Sequence, residues 1–401
     1  MAVLGCRSAA DVVAGVAWAR QEGLELAVKS GGHSVAGNGV CDGGVVLDVS
    51  GMKAVDVDPQ AGVARVEAGV TLGELDAATA THRMATPTGV VSVTGLAGLA
   101  LGGGLGWLPR SLRPRLRQYC SPPRWSPPPG LVTATTTGHA DLHWALRGGA
   151  ATVWSPPSRS ACTPSTWCRP ACSASARSGR RALVATTGWR APVPTSSVNA
   201  SLYAASTASQ AWRWRGCPRL PGQAGPALAE VRGAGSPMST RPGPTRYLDL
   251  QRSSDSGFPE GRRHYWRSAR SAPSMPEVTL LEQAAAIVSP FTGIGLKQLR
   301  CCRPVPAPPP PVPPLNRYDL LILSQWTDRR RRGELPGNRC FTALERFTDD
   351  GVYVSNLGDE GEQRVRQAYG ANFQRLRRAE GPLRPRQRVP PQPQHPARLS
   401  R

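Results

Sequence analysis

Lysine is almost missing from this sequence. Of its 49 lysine and arginine residues only Lys29, Lys53 and Lys297 are lysines, and aromatic residues make up just 6% of the 401 positions. No apolar stretch approaches the roughly 20 residues that a transmembrane helix needs, and no signal peptide precedes Cys6. We therefore expect a cytoplasmic protein with no membrane partner, long enough for two domains.

Metal-site and disulfide patterns are also missing, although the chain has 10 cysteines. No two of them form a C-x-x-C pair, and no histidine stands at zinc-ligand spacing from a cysteine. We predict no metal site, and the spacing gives no disulfide framework.

Acidic residues are missing from particular segments rather than from the whole chain. The net charge is +22, which normally suggests a nucleic-acid partner. Residues 1–108 nevertheless hold ten acids against six basic residues, whereas residues 109–243 hold 17 arginines and only Asp141 and Glu230 as acids. We expect no nucleic-acid partner, and a basic nucleic-acid-binding protein stays as an alternative hypothesis.

The basic segments lack the apolar periodicity of helices and strands. They are rich in Arg, Pro, Ser, Ala, Cys and Trp, as in residues 121–129. This composition is typical of a GC-rich gene read in the wrong frame, and a disordered Arg/Pro linker is the alternative. Translation of the coding DNA in its other frames would decide between them.

The first hundred residues have clear secondary-structure signals. Ser8 and Asp11 form a capping box that begins a helix, and Thr71 with Glu74 begins another that ends near His82. Alternating or buried apolar runs predict short strands over residues 25–29, 45–49, 54–57 and 63–67.

Beyond residue 130 the secondary-structure signals are more widely spaced along the chain. Strands are predicted over residues 131–135, 318–326 and 351–356, and helices over residues 141–149, 276–288 and 360–376. From Arg377 onward the sequence is patternless.

Two glycine-rich stretches are the candidate ligand-binding segments of the sequence. In Ser30-Gly31-Gly32-His33-Ser34, glycines allow backbone N–H groups to approach a pyrophosphate, and His33 offers a nucleophilic imidazole nitrogen. Taken alone, the stretch also fits a turn with a surface histidine. The second stretch, residues 94–107, is apolar between its glycines and fits either a loop around a planar ring or a tightly packed glycine turn.

Together these stretches resemble a known family. Residues 27–37, 48–52, 67–69 and 95–107 are similar, in order and spacing, to the FAD-binding domain of p-cresol-methylhydroxylase-type oxidoreductases, and most of all to bacterial berberine-bridge-enzyme-like oxidases. Residues 132–134 and 141–149 match further along that domain, and residues 261–266, 318–328 and 351–376 resemble the family's substrate domain.

The resemblance implies an α+β fold. It comprises a two-subdomain FAD-binding domain of the vanillyl-alcohol-oxidase-like type and an α+β substrate domain with an antiparallel sheet, parts of the chain being disordered. The expected domains are an FAD-binding domain over 1–155, in which 109–130 and residues from 150 depart from the family pattern, a low-order Arg/Pro/Ser-rich segment over 156–243, a substrate-domain remnant over 244–376 and a disordered basic tail over 377–401.

It also implies the chemistry: hydride transfer from an alcohol, sugar or secondary-metabolite C–H to FAD, with O2 as acceptor. FAD would be attached through an 8α-histidyl bond to His33, and the cofactor-binding residues would be Ser30, Gly31, Gly32, His33, Ser34, Gly37, Gly95, Gly98, Gly102, Gly103, Gly104 and Val132. Tyr353 and Tyr265 are candidate catalytic residues or, alternatively, ordinary pocket-wall tyrosines, and His264 is expected in an exposed loop. An inactive, misread family member is the alternative to an active enzyme.

Overall fold

A computed structural model describes part of the chain. It covers residues 1–86, 89–107, 124–125, 132–133, 137–138, 140–146, 148–149, 158–161, 163–164, 174–176, 197–206, 209–217, 237–240, 246–259, 261–271, 279, 282–283, 292–298, 318–327, 335–349, 351–358 and 360–380.

The chain begins with a small parallel sheet. Strands β1 (Ala2–Gly5), β2 (Leu26–Lys29) and β3 (Val45–Asp48) lie in the order β1-β3-β2, all parallel. Helix α1 (Ala9–Gln21) begins at Ser8, whose side chain accepts from Asp11 N–H while the Asp11 carboxylate accepts in return, which confirms the predicted capping box. Val12 and Ala19 of α1 pack on Val45 and Leu47 in the core of this layer.

An antiparallel layer follows. Strands β4 (Val55–Asp58) and β5 (Val63–Val66) pair with each other, and β9 (Ser158–Ala161) adds to β5. Helix α2 (Leu72–Ala80) starts at the predicted Thr71–Glu74 capping box. Strand β6 (Met84–Ala85) and helix α3 (Leu96–Leu101) come next, and then β7 (Arg124–Trp125), β8 (Val132–Thr133), helix α4 (Ala140–Ala145) and β10 (Thr163–Pro164). Strand β7 pairs with β8, and β10 with β6.

The second half is built on an eight-stranded antiparallel sheet. Its order is β14-β11-β13-β12-β16-β17-β15-β18. The strands are β11 (Ala174–Ala176), β12 (Ser197–Ser206), β13 (Ser209–Cys217), β14 (Pro237–Thr240), β15 (Arg263–Ser271), β16 (Thr292–Gln298), β17 (Tyr318–Trp326) and β18 (Thr348–Asp349). The sheet confirms the predicted strand over residues 318–326 and the α+β class.

Four helices accompany this sheet. They are α5 (Tyr247–Arg252), α6 (Pro336–Glu345), α7 (Glu362–Tyr369) and α8 (Phe373–Glu380), with short 3-10 turns at Asp255–Gly257, Val354–Asn356 and Gly370–Asn372. A Cβ on Gly337 of α6 would meet the side chains of Ser324 and Ile322, so α6 lies against that face of β17. Helices α7 and α8 share a core with Trp144 of α4.

Several expectations are corrected. Residues 351–356 are not a strand: sheet pairing ends at Asp349, and Val352 and Tyr353 turn into a separate core, because a short apolar run does not by itself specify a strand. Helix α8 continues to Glu380, past the expected start of the tail at Arg377. Strands β9 to β14 lie within residues 156–243, and the domain division predicted from the sequence stays a prediction.

Some expectations fall outside the described residues. Of the helix predicted over residues 276–288, only Thr279, Glu282 and Gln283 are described, and they are helical. Within the described part of the chain, no helix is both long and apolar enough to span a bilayer.

A buried carboxyl group joins the two halves. Asp76 of α2 is 2% exposed, and its Oδ2 accepts from Gln251 Nε2 of α5 at 3.0 Å. Burial raises the pKa of Asp76 to about 7, although the Gln251 hydrogen bond and the charge of Arg252 oppose the rise.

We expect Asp76→Asn to remove a pH dependence of stability. The pKa of Asp76 in the folded state, about 7, lies above the unfolded value of about 3.9. The free energy of unfolding should therefore fall as pH rises between these values, by on the order of 4 kcal/mol, and then level off. The variant should be more stable than the wild type at about pH 8 and lose that advantage near about pH 5. Denaturant unfolding at several pH values measures this, and parallel profiles for the two proteins would refute it.

Candidate functional site

The first glycine stretch forms a loop at the carboxyl end of β2, beside the parallel strand β3. Among the described residues, none of the backbone N–H groups from Gly31 to Ala36 donates to a protein acceptor; the first such bond is from Gly37 N–H to Ser34 O, 3.1 Å. Gly32 and Gly37 have φ values of +72° and +82°, which L side chains rarely adopt. A loop with unused N–H groups is suited to an anion.

The two glycine stretches pack backbone against backbone. A Cβ on Gly31 would lie 2.2 Å from Gly95 N, and a Cβ on Gly95 would lie 2.5 Å from Gly31 N. Neither position therefore accepts a side chain without movement of the backbone. This close packing agrees with the tightly packed glycine turn that was the alternative for the second stretch, and it is compatible with cofactor binding at the neighbouring glycines.

The two serines of the loop use their hydroxyl groups within the protein. Ser30 Oγ donates to Ala68 O at 2.6 Å, and Ser34 Oγ accepts from Asn38 N–H at 3.0 Å. Ser30 thus ties the loop to the segment before α2. Ser34 keeps its hydroxyl proton available for a ligand.

His33 lies at the rim of this loop. Its side chain is exposed to solvent, yet desolvation by the surrounding protein lowers the pKa of its imidazole. The lowered pKa favours the neutral imidazole, the form with a nucleophilic nitrogen.

The structure adds His264, which the sequence had placed in an exposed loop. His264 lies in β15, is half-buried, and stacks on Phe258 with ring centroids 6.0 Å apart. Desolvation is the main cause of the lowered pKa of His264, and the charge of His33 lowers that pKa further. The two histidines are therefore close enough to interact electrostatically. The alternation along β15 was the available signal, because residues 264 and 266 share one face of a strand.

Two glycines share that face of the sheet with His264 and Trp266. His264 pairs with Gln325 and Trp266 with Leu323, which in turn pairs with Gly293 of β16. Gly293 and Gly295 leave this face without side chains. His264 Nδ1 and Trp266 Nε1 are buried there and have no hydrogen-bond partner among the described residues.

Tyr353 is brought to the second glycine stretch. It is 6% exposed, and its hydroxyl is buried beside Ser355 and the backbone of Gly104 and Leu105 without a well-formed hydrogen bond. Burial raises the pKa of Tyr353 far above its usual range, and the charge of Asp319 adds to the rise. The group therefore stays protonated, as a donor rather than a base.

Tyr265 lies elsewhere. It pairs with Ser324, on the face of the sheet that α6 covers, and its ring is near Gly358. Since neighbouring residues of a strand point to opposite faces, Tyr265 and His264 are on different sides of the sheet. Of the two candidate catalytic tyrosines, only Tyr353 contacts the glycine stretch.

The remaining predicted cofactor-binding residues differ in the space around them. Gly98 and Gly103 have open space where a Cβ would stand, whereas a Cβ on Gly102 would meet Ser355 Oγ at 2.5 Å. Gly104 has a φ of +57°. Val132 lies in β8, and its side chain is outside the described residues. Within the described part of the chain, no cluster of His, Cys, Asp and Glu is arranged to hold a metal ion.

Comparison with known proteins identifies relatives of the first third of the chain. A family model described as FAD binding domain matches residues 1–112. The (R)-6-hydroxynicotine oxidase of Paenarthrobacter nicotinovorans is 34% identical over 143 residues, covering 36% of this chain and 31% of that protein. Berberine bridge enzyme-like 5 of Arabidopsis thaliana is 32% identical over 153 residues, covering 37% of this chain and 29% of that protein. The chain thus spans about a third of the length of these curated relatives in the regions that match.

A solved structure shows the same fold over a longer range. The crystal structure of 6-hydroxy-D-nicotine oxidase from Arthrobacter nicotinovorans matches with a TM-score of 0.84 at 22% identity, covering 96% of this chain and 89% of that chain. This likeness confirms the predicted fold, which combines a vanillyl-alcohol-oxidase-like FAD-binding domain with a second domain built on an antiparallel sheet.

We expect Gly31→Ala to destabilise the protein even without a ligand. Its Cβ would overlap Gly95, and overpacking of this kind costs about 1–3 kcal/mol or more. Gly98→Ala is the matched control, because its Cβ meets nothing within 4 Å and alanine favours the helix by about 0.5–1 kcal/mol. Thermal unfolding of the FAD-free variants measures both, and equal midpoints would contradict the contact.

Proposed function

We propose that this protein, whose residues 1–112 belong to the FAD binding domain family of FAD-linked oxidoreductases, is an FAD-dependent oxidase. It would transfer hydride from a C–H of an alcohol, sugar or secondary metabolite to FAD, with O2 as the final acceptor. The observation that carries the proposal is the loop of unused N–H groups from Gly31 to Ala36, backed by Gly95 and bordered by His33.

The loop residues fit the diphosphate of FAD. Consecutive backbone N–H groups without protein acceptors bind anions well, and the positive φ of Gly32 gives the loop its concave shape. The open positions beside Gly98 and Gly103 leave room for a flat ring along the second glycine stretch. When bound, FAD would supply the electron acceptor of the reaction.

His33 is the attachment residue in this proposal. A covalent bond from an imidazole to the flavin requires the neutral ring, and desolvation already favours that form of His33. His264, close enough for electrostatic interaction, adds no charge while it is neutral.

The face of the sheet around β15 and β16 is the proposed substrate surface. It combines an apolar ring, Trp266, with two buried nitrogen atoms that lack partners and with the bare backbone of Gly293 and Gly295. A ligand with both a flat or cyclic body and hydroxyl groups suits such a surface, because the unpaired groups gain hydrogen bonds on binding.

Tyr353 would act by donating a hydrogen bond. Its high pKa excludes a standing tyrosinate at neutral pH, so it orients an oxygen or nitrogen acceptor next to Gly104. The relatives named above are an oxidase and a berberine bridge enzyme-like protein. They lend no support to a nucleic-acid-binding function, and nothing observed favours an inactive chain.

We expect His33→Ala to abolish covalent flavin. The wild-type protein, supplied with FAD and precipitated with acid, should keep flavin absorbance in the pellet, whereas the variant should release all of it, since no other residue is assigned to the attachment. His82→Ala, a change of an exposed histidine on the far end of α2, is the control and should behave like wild type. A colourless wild-type pellet would refute the covalent bond.

We also expect covalent incorporation of FAD to continue at mildly acidic pH. Because desolvation lowers the pKa of His33 below its usual value of about 6.5, the neutral ring predominates at that pH, and the rate should fall only in more acidic buffer. The rate of acid-stable flavin formation in the FAD-free protein, followed from about pH 5 to about pH 8, measures this. A half-maximal rate above about pH 6.5 would contradict it.

A further inference from the structure

We infer that residues 246–258, which lie outside the matched FAD-binding region, position the loop of residues 89–94 against the cofactor, with Asp255 as the main positioning residue. This inference rests on the proposed function. It assigns a role in flavin binding to a segment from the second half of the chain.

Two side chains of residues 246–258 reach this loop, and a third reaches Thr86. Tyr247 Oη donates to Thr86 O at 2.8 Å, and Gln251 Nε2 donates to Gly89 O at 2.6 Å. The Asp255 carboxylate accepts from both groups of Ser92: Oδ1 from the backbone N–H at 2.8 Å and Oδ2 from the hydroxyl at 2.5 Å. Each contact joins residues more than 160 positions apart in the sequence.

The loop is in turn continuous with the glycine contact. Ser92 O accepts from Gly73 N–H at 2.8 Å, and Thr94 O accepts from Leu72 N–H at 2.9 Å, so the loop is also held by α2. Gly95 follows directly and touches Gly31. A displacement of Ser92 therefore reaches the backbone that shapes the loop around His33.

The carboxylate of Asp255 is suited to this role. Two hydrogen bonds from one residue to a bidentate acceptor fix orientation as well as distance, and bonds to charged groups are stronger than neutral ones. Ser92 and Asp255 are both partly buried, so water competes only in part.

The same segment also reaches the proposed substrate surface. Gly257 O accepts from Gln325 Nε2 at 2.7 Å, and Phe258 stacks on His264. Residues 246–258 thus contact both the loop that holds Ser92 and the antiparallel sheet. They fix the separation between the two, which a reaction between flavin and substrate requires.

The test uses the full chain with His33→Ala, so that FAD binds reversibly. Adding Asp255→Ala should weaken FAD binding, measured as Kd by flavin fluorescence, by about tenfold or more. Asp255→Asn keeps one acceptor for Ser92 N–H and should restore most of the affinity. Asp249→Ala, on the same segment but in an exposed ion pair with Arg246, is the control and should leave Kd unchanged.

A second measurement separates positioning from folding. The FAD-free Asp255→Ala protein should still unfold in one cooperative transition well above the temperature of the binding measurement, as Asp249→Ala does, while Kd and the fine structure of the visible flavin spectrum change only in the former. If Asp255→Ala does not fold, Ser92→Ala serves instead, with a loss of at least severalfold expected. An unchanged Kd in either variant overturns the inference. Failure of the parent protein to bind FAD at all overturns the proposed function instead.

Discussion

The site depends on the contact between Gly31 and Gly95, where two loops meet without side chains. One loop follows the parallel strand β2, which the sequence predicts, and the other leads into α3. Because no Cβ fits at either position, the distance between the loops is fixed by backbone geometry alone. His33 and the unused N–H groups keep their places only while that distance holds, so the packing role of the glycines and their proposed cofactor role are the same constraint.

Local structure around this contact could be predicted from the sequence because its signals are local. The capping boxes at Ser8 and Thr71 each depend on a residue three positions away, and short apolar runs gave the strands that flank the first glycine loop. The resemblance to a known family supplied the antiparallel sheet. What the sequence could not show was which distant residues meet: Asp255 reaches Ser92, and His264 approaches His33, through a fold that no local pattern encodes.

The wrong predictions from the sequence also arise because local patterns do not show which distant residues meet. Residues 351–356 are apolar enough for a strand, but Tyr353 is buried beside the second glycine stretch and Asn356 Nδ2 donates to Asp319 at 2.9 Å, which takes this segment away from the sheet. Tyr265 and His264 are adjacent in sequence, and the sequence predicts Tyr265 as a candidate catalytic residue and places His264 in an exposed loop. Only the register of β15 against β17 separates them: Tyr265 lies on the face that α6 covers, and His264 lies on the opposite face, stacked on Phe258.

The charge distribution explains why an anionic cofactor would be bound by backbone rather than by cations. Although the chain is strongly basic, its excess of arginine lies beyond residue 108. In the first hundred residues, Lys29 pairs with Asp48, Lys53 with Glu74 and Arg65 with Asp56, each within 3.0 Å. Those cations are already engaged, and none of them belongs to the loop after β2. A diphosphate there would meet oriented N–H dipoles, whose direction depends on loop geometry. This is why glycine φ angles and the contacts that hold the loops, rather than net charge, decide whether the site forms.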